Sequence, residues 1–201
     1  MGRWALAVSR TTEARVETVW SVLADARQWR SWAFLTRSDL ELEGHPPPDG
    51  LGAIRVFQVG PSGSREKVIH WEPPHHFAYA LLSGFPVRNY RADVYLDKDG
   101  AQTTINWLAS FDSPFPPAAK QLRILLKAMV RAFTNALVAE SEAIAQSEAI
   151  AQSQAIAQSE AVELGQPLVP STTQSVGRRP RRPWPGGRYL RRRSFDGDGI
   201  G

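Results

Sequence analysis

Cysteine is absent from the 201-residue chain, and with it go disulfide scaffolds, cysteine-based zinc sites and thiol nucleophiles. Lysine is scarce, four of 24 basic residues, and that bias beside abundant Ala, Gly and Pro is what a GC-rich genome writes, in expectation a bacterial one. No apolar run approaches the ~18 residues of a membrane-crossing helix. The opening MGRWALAVSR has neither an apolar stretch nor a small-residue cleavage site, and Leu6 stands where a myristoylation motif needs Ser or Thr. The expected address is the cytoplasm. G-x-S-x-G, P-loop, dinucleotide-binding and H-E-x-x-H signatures are also missing, so no nucleotide or other cofactor is expected.

What is present fits an ordinary folded domain. Hydrophobic residues make up 42% and charged residues 22%, values that exclude collagen-like, wholly disordered and multi-span membrane chains. Charge is uneven. Residues 1–139 hold 16 basic and 13 acidic side chains, residues 140–177 five acidic and no basic, and residues 178–201 eight Arg against two Asp. The pI near 9.8 therefore owes much to a short tail, and gives no reason to expect specific nucleic-acid binding.

Composition divides the chain into three parts: a folded domain over 1–140, a repeat over 141–164 and a tail over 165–201. From Ser141 the hexapeptide SEAIAQ recurs, with Gln154 replacing Glu in the third copy and a degraded fourth. Six residues advance an α-helix by about 600°, so Ile144, Ile150 and Ile156 point in three directions and form no common apolar face. Ala, Glu and Gln still favour helix, which predicts a solvent-exposed helical extension. A left-handed β-helix shares the period, but so few coils make a poor solenoid. The tail is rich in Pro, Gly and Arg, with Trp184 and Tyr189 among eight arginines. It reads as a disordered basic segment, either merely solvated or able to grip an anionic surface.

Within 1–140, alternation of Trp4, Leu6 and Val8 predicts a strand at about 3–11. Val16, Val19, Trp20 and Leu23 recur at helical spacing over 14–25, with Thr12 as a cap, and a second short helix over 26–32 places Trp29 and Trp32 on one face. Six strands follow, at about 38–44, 52–59, 64–71, 76–84, 89–97 and 102–111, separated by Gly- and Pro-containing turns. Pro116-Pro117 then opens a long helix with a wide apolar face from Leu122 to Leu137. These elements predict an α+β fold: a curved antiparallel sheet of about seven strands around a long C-terminal helix, with two short helices after the first strand.

That order, together with VSRTTEARVETVWSVLADARQWRSWA, HWEPPHHFAYAL and PVRNYRADVYL, resembles the helix-grip fold of the START-like (SRPBCC) superfamily. In particular it resembles the polyketide cyclase/dehydrase and lipid-transport family, over about residues 3–140. The resemblance implies an apolar cavity between sheet and terminal helix that takes a hydrophobic small molecule. It brings no shared catalytic motif.

Alternation assigns cavity-facing residues: Tyr79 and Leu81, Tyr90 and Val94, Trp107, and Leu126, Met129 and Phe133 on the helix. Tyr79, Tyr90 and Trp107 join an apolar body to a polar handle and are the best ligand-orienting candidates. Arg88, Arg91 and His70 are possible polar anchors, Arg91 pointing more naturally to solvent beside Asp93. His70 is also a candidate general base. His70 and Glu72 would share a strand face, but adjacent His75 and His76 point oppositely and no third ligand is evident, so no metal site is expected. Three functions remain open: a hydrophobic-ligand binder, a polyketide cyclase-type enzyme acting by positioning without metal or nucleotide, and an interaction module recruited by the basic tail. Oligomeric state is not legible.

Overall fold

The computed structural model describes residues 2–113 and 116–163; the basic tail expected over 165–201 lies outside the described residues. Strand β1 (Arg3–Thr12) leads into helix α1 (Val16–Ala24), a 3-10 turn at Ala26–Gln28 and the single-turn helix α2 (Trp29–Trp32). Six strands follow: β2 (Arg37–Leu42), β3 (Ile54–Val59), β4 (Ser62–Glu72), β5 (His76–Ser83), β6 (Arg88–Asp99) and β7 (Gln102–Asp112). A 3-10 turn at Pro116–Ala118 starts helix α3, Ala119–Glu163. The seven strands form one sheet in the order β1-β7-β6-β5-β4-β3-β2, every pairing antiparallel. This is the α+β helix-grip architecture that the sequence pattern predicts, each strand within about two residues of its expected bounds.

Thr12 does not cap α1. The helix starts at Val16, out of its reach, and the hydroxyl accepts from the Ala14 N–H (3.2 Å) and donates to Glu142 on α3 (3.0 Å). The 3-10 turn has a genuine cap: Asp25 Oδ1 accepts from the N–H groups of Arg27 (3.0 Å) and Gln28 (3.2 Å), satisfying donors a helix start leaves unpaired.

The core lies between the concave face of the sheet and one stripe of α3, where Leu126, Val130, Thr134, Leu137 and Ser141 are buried at three- and four-residue intervals. Contact with the sheet domain ends at Ile144 and Ala145, which are partly buried against the core. From Gln146 to Glu160 every residue is exposed, although the helix continues unbroken. The six-residue period explains this: once Ile144 has packed, Ile150 and Ile156 are rotated off the stripe and stand more than half exposed.

α1 packs against β6 and β7. It fills part of the concave face with Val19, Val22 and Leu23. Near Tyr79 and Tyr90 the face is covered by α3 together with Trp29 of α2 and Phe34, and there the packing does not close.

Candidate functional site: an aromatic cavity with one buried charge pair

The unfilled part is a cavity of about 440 Å³, inside the 300–1,000 Å³ range of small-molecule sites. β5 and β6 present Tyr79, Leu81 and Tyr90; α3 covers them with Leu126, Met129, Val130 and Phe133; Trp29 and Phe57 form one end wall. Phe34, stacked on Phe133 with centroids 4.6 Å apart, stands with Val59 and Leu125 at the rim, all three well exposed. On the rim, Gly84 adopts φ +126°, and a Cβ there would meet the Gly63 carbonyl oxygen at 2.7 Å. Only glycine lets the β5 end lie so close to β4.

A charge pair stands at the cavity, one member fully buried behind the wall and the other nearly buried on it. Arg55 on β3 and Glu66 on β4 are direct cross-strand partners. Arg55 has no exposed surface, and its guanidinium lies 4.4 Å from the Trp29 ring, 4.8 Å from Phe57, 4.7 Å from Phe77 and 5.8 Å from Tyr79. Cation–π attraction replaces part of its lost hydration, yet none of its three nitrogens has a hydrogen-bond partner among the described residues. Glu66 Oε2 is 3.9 Å from Nη2 of Arg55, and Glu66 is the carboxylate on the cavity wall. Burial pushes the Glu66 carboxyl up to about 7, against the pull of Arg55. The neighbouring phenols of Tyr79 and Tyr90, with ring centroids 6.2 Å apart, are both raised above the usual phenol range, chiefly by burial. Near neutral pH the cavity wall therefore offers two phenolic O–H groups and a carboxyl shared between its protonated and ionised forms.

The residues named from sequence divide. Tyr79, Leu81, Tyr90, Leu126, Met129 and Phe133 lie together on the wall. Val94 and Trp107 do not: both are fully buried. Trp107 lies behind Trp29 and Phe133, with ring centroids 6.2 and 6.4 Å away. Arg91 faces out, donating to both carboxylate oxygens of Asp93 at 2.8 and 2.6 Å, and Arg88 is exposed at the start of β6. Neither lines the cavity. His70 is also outside, because β4 shifts register between Val68 and His70. Val68 points inward; the extra residue resets the alternation, so Trp71 packs inward against Phe77 (5.9 Å) and His70 turns out.

Arg55 and Glu66 escaped the sequence reading, though a signal existed. In IRVFQV Arg55 has the same parity as Phe57, and Glu66 has that of Val68, so each charge occupies a position of apolar phase.

An antiparallel sheet gripping a long C-terminal helix, with a cavity between them, defines a START-like protein. Residues 3–142 match the family described as polyketide cyclase / dehydrase and lipid transport, and the chain belongs to that family. Solved structures agree on the fold. A START superfamily protein from Mycobacterium smegmatis superposes with a TM-score of 0.61 at 12% identity, covering 71% of this chain and 99% of that one. A protein from Thermobifida fusca, solved by NMR in solution, gives 0.58 at 26% identity, covering 68% and 92%. One from Nitrosospira multiformis gives 0.56 at 19% identity, covering 71% and 99%. No curated protein matches the chain. Among the described residues, no helix is long and apolar enough to cross a membrane.

Proposed function

We propose that this protein binds a hydrophobic small molecule, lipid-like or polyketide-like, with its apolar body among Trp29, Phe57, Met129 and Phe133. A hydroxyl or carbonyl of the ligand lies at Tyr79, Tyr90 and Glu66. The observation that carries this reading is the cavity itself: about 440 Å³ of mainly apolar space with a few polar groups, Glu66, Tyr79 and Tyr90 among them, on its wall, the combination that buries a greasy ligand while fixing its orientation. Arg55 acts from behind the wall, its positive charge favouring the ionised form of Glu66 that burial opposes.

The buried carboxyl supports a second reading, a cyclase-type enzyme in the same cavity. A carboxyl titrating near 7 suits a general base at neutral pH. Glu66 would take a proton from a carbon activated by neighbouring carbonyls, and a tyrosine hydroxyl would hydrogen-bond to the enolate oxygen. Neither reading needs a metal or nucleotide.

Native mass spectrometry of the full chain, with solvent extraction of any passenger, tests the binding reading. A stoichiometric apolar passenger, or uptake of one fatty acid or aromatic polyketide per chain, is the expected result. A folded protein that takes up none of a panel of both classes overturns it. Conversion of an added poly-β-keto precursor, lost in Glu66→Gln while binding persists, would select the enzyme reading.

A further inference from the structure

We propose that His70, Glu72 and His76 form a binding site for one divalent cation of the zinc type on the outer face of the sheet, independent of the cavity. The sequence alone offers no third ligand, since His75 and His76 point in opposite directions. The fold supplies the missing arrangement in two steps. The register shift between Val68 and His70 turns His70 and Glu72 outward together. The chain then reverses through Pro73-Pro74 and pairs Glu72 of β4 directly with His76 of β5. One ligand atom from each of the three residues lies within 4.8 Å of the others.

Ligand chemistry selects the ion. Two imidazoles and a carboxylate suit Zn²⁺ and its neighbours Co²⁺, Ni²⁺ and Cu²⁺, whereas Mg²⁺ and Ca²⁺ require mostly oxygen. Tetrahedral ligands at about 2.1 Å from zinc are roughly 3.4 Å apart, so modest side-chain rotation closes the site. His70 and Glu72 have the freedom for it, with side chains 42% and 66% exposed. His76 is the fixed member. Its ring is stacked on Tyr95 (centroids 4.1 Å), and its Nε2 is 3.0 Å from Asp93 Oδ1. Arg91 in turn clasps Asp93, so the carboxylate orients the imidazole as carboxylates do beside metal-bound histidines. Three protein ligands leave a coordination position for water or another molecule.

The test is Zn²⁺ titration of the full chain without a polyhistidine tag, followed by calorimetry and by metal analysis after gel filtration. One Zn²⁺ per chain is expected, with no uptake of Mg²⁺ or Ca²⁺. His70→Ala and His76→Ala should abolish stoichiometric uptake, and Asp93→Asn should weaken it 10- to 100-fold, with circular dichroism unchanged because all these side chains lie on the outer face. His45→Ala should change nothing. Absence of uptake by the unaltered chain, or uptake that persists in the His70→Ala/His76→Ala double variant, overturns the proposal. Neither result bears on the cavity, whose ligand binding is read separately.

Discussion

Arg55 and Glu66 face each other across β3 and β4, 3.9 Å apart, and of the two only Glu66 reaches the cavity wall. An ion pair withdrawn this far from water costs more in desolvation than its attraction returns, unless hydrogen bonds complete it. Arg55 has none among the described residues. A buried pair so incompletely satisfied suggests a role in the site rather than in stability.

The energetic consequence is testable by substitution. Glu66→Leu strands a buried guanidinium and should cost about 3–5 kcal/mol. Adding Arg55→Met, which keeps apolar volume between Trp29 and Phe77, should return stability to that of the unaltered chain or above. Urea denaturation of the single and double variants at pH 8 checks this; a double variant less stable than Glu66→Leu would refute it.

Glu66 also makes stability depend on pH. Its carboxyl titrates near 7 in the folded chain and near 4.3 when unfolded, so between these values the folded state binds more protons. The contribution is therefore full below about pH 4 and is lost as pH rises through 7. We expect the stability difference between the unaltered chain and Glu66→Gln to shift by on the order of 3 kcal/mol between pH 4.5 and 8, in favour of the variant at high pH. Denaturation curves across that range provide the measurement, and a difference independent of pH would show that Glu66 is not raised.

The cavity predicts a separation of binding from folding. Met129→Trp projects a larger side chain into open space rather than into packed core, so it should cost less than the 1–3 kcal/mol of ordinary overpacking. It should also reduce uptake of an apolar fluorescent probe at least tenfold. Trp29→Ala should instead cost stability heavily, because Trp29 serves the core as well as the cavity wall. The Trp29 indole donates to the Leu23 carbonyl (2.9 Å) and stacks on Phe57, so its removal should destabilise by about 3–5 kcal/mol. Thermal unfolding beside probe titration distinguishes the two.

Helix α3 should tolerate truncation at one point and not at another. Ending the chain after Gln146 removes only residues that are exposed wherever they are described, and should change domain stability by no more than about 0.5 kcal/mol. Ending it after Ala136 removes buried Leu137 and Ser141 and the Glu142 partner of Thr12, and should unfold the domain at 37 °C. Calorimetric melting of both truncations provides the check.

Periodicity alone determined much of this protein. Period-two alternation with Gly and Pro turns set the strands, and a 3.6-residue rhythm set the apolar stripe of α3 from Leu126 to Leu137. The six-residue repeat ensured that the helix would leave the core after Ile144. These are local properties, and each is fixed by how far one residue rotates the next about its own axis.

Tertiary structure decided the rest, because which part of a face is filled depends on elements distant in sequence. Val94 and Tyr90 share an alternation phase, yet Val94 is fully buried while Tyr90 lies on the cavity wall. One register shift in β4 reversed the phase after Val68, moving His70 from the expected pocket to a surface cluster with Glu72 and His76. Arg55 and Glu66 became a pair only when β3 and β4 came into register, since pairing across a sheet is set by the alignment of two strands and is written in neither of them alone.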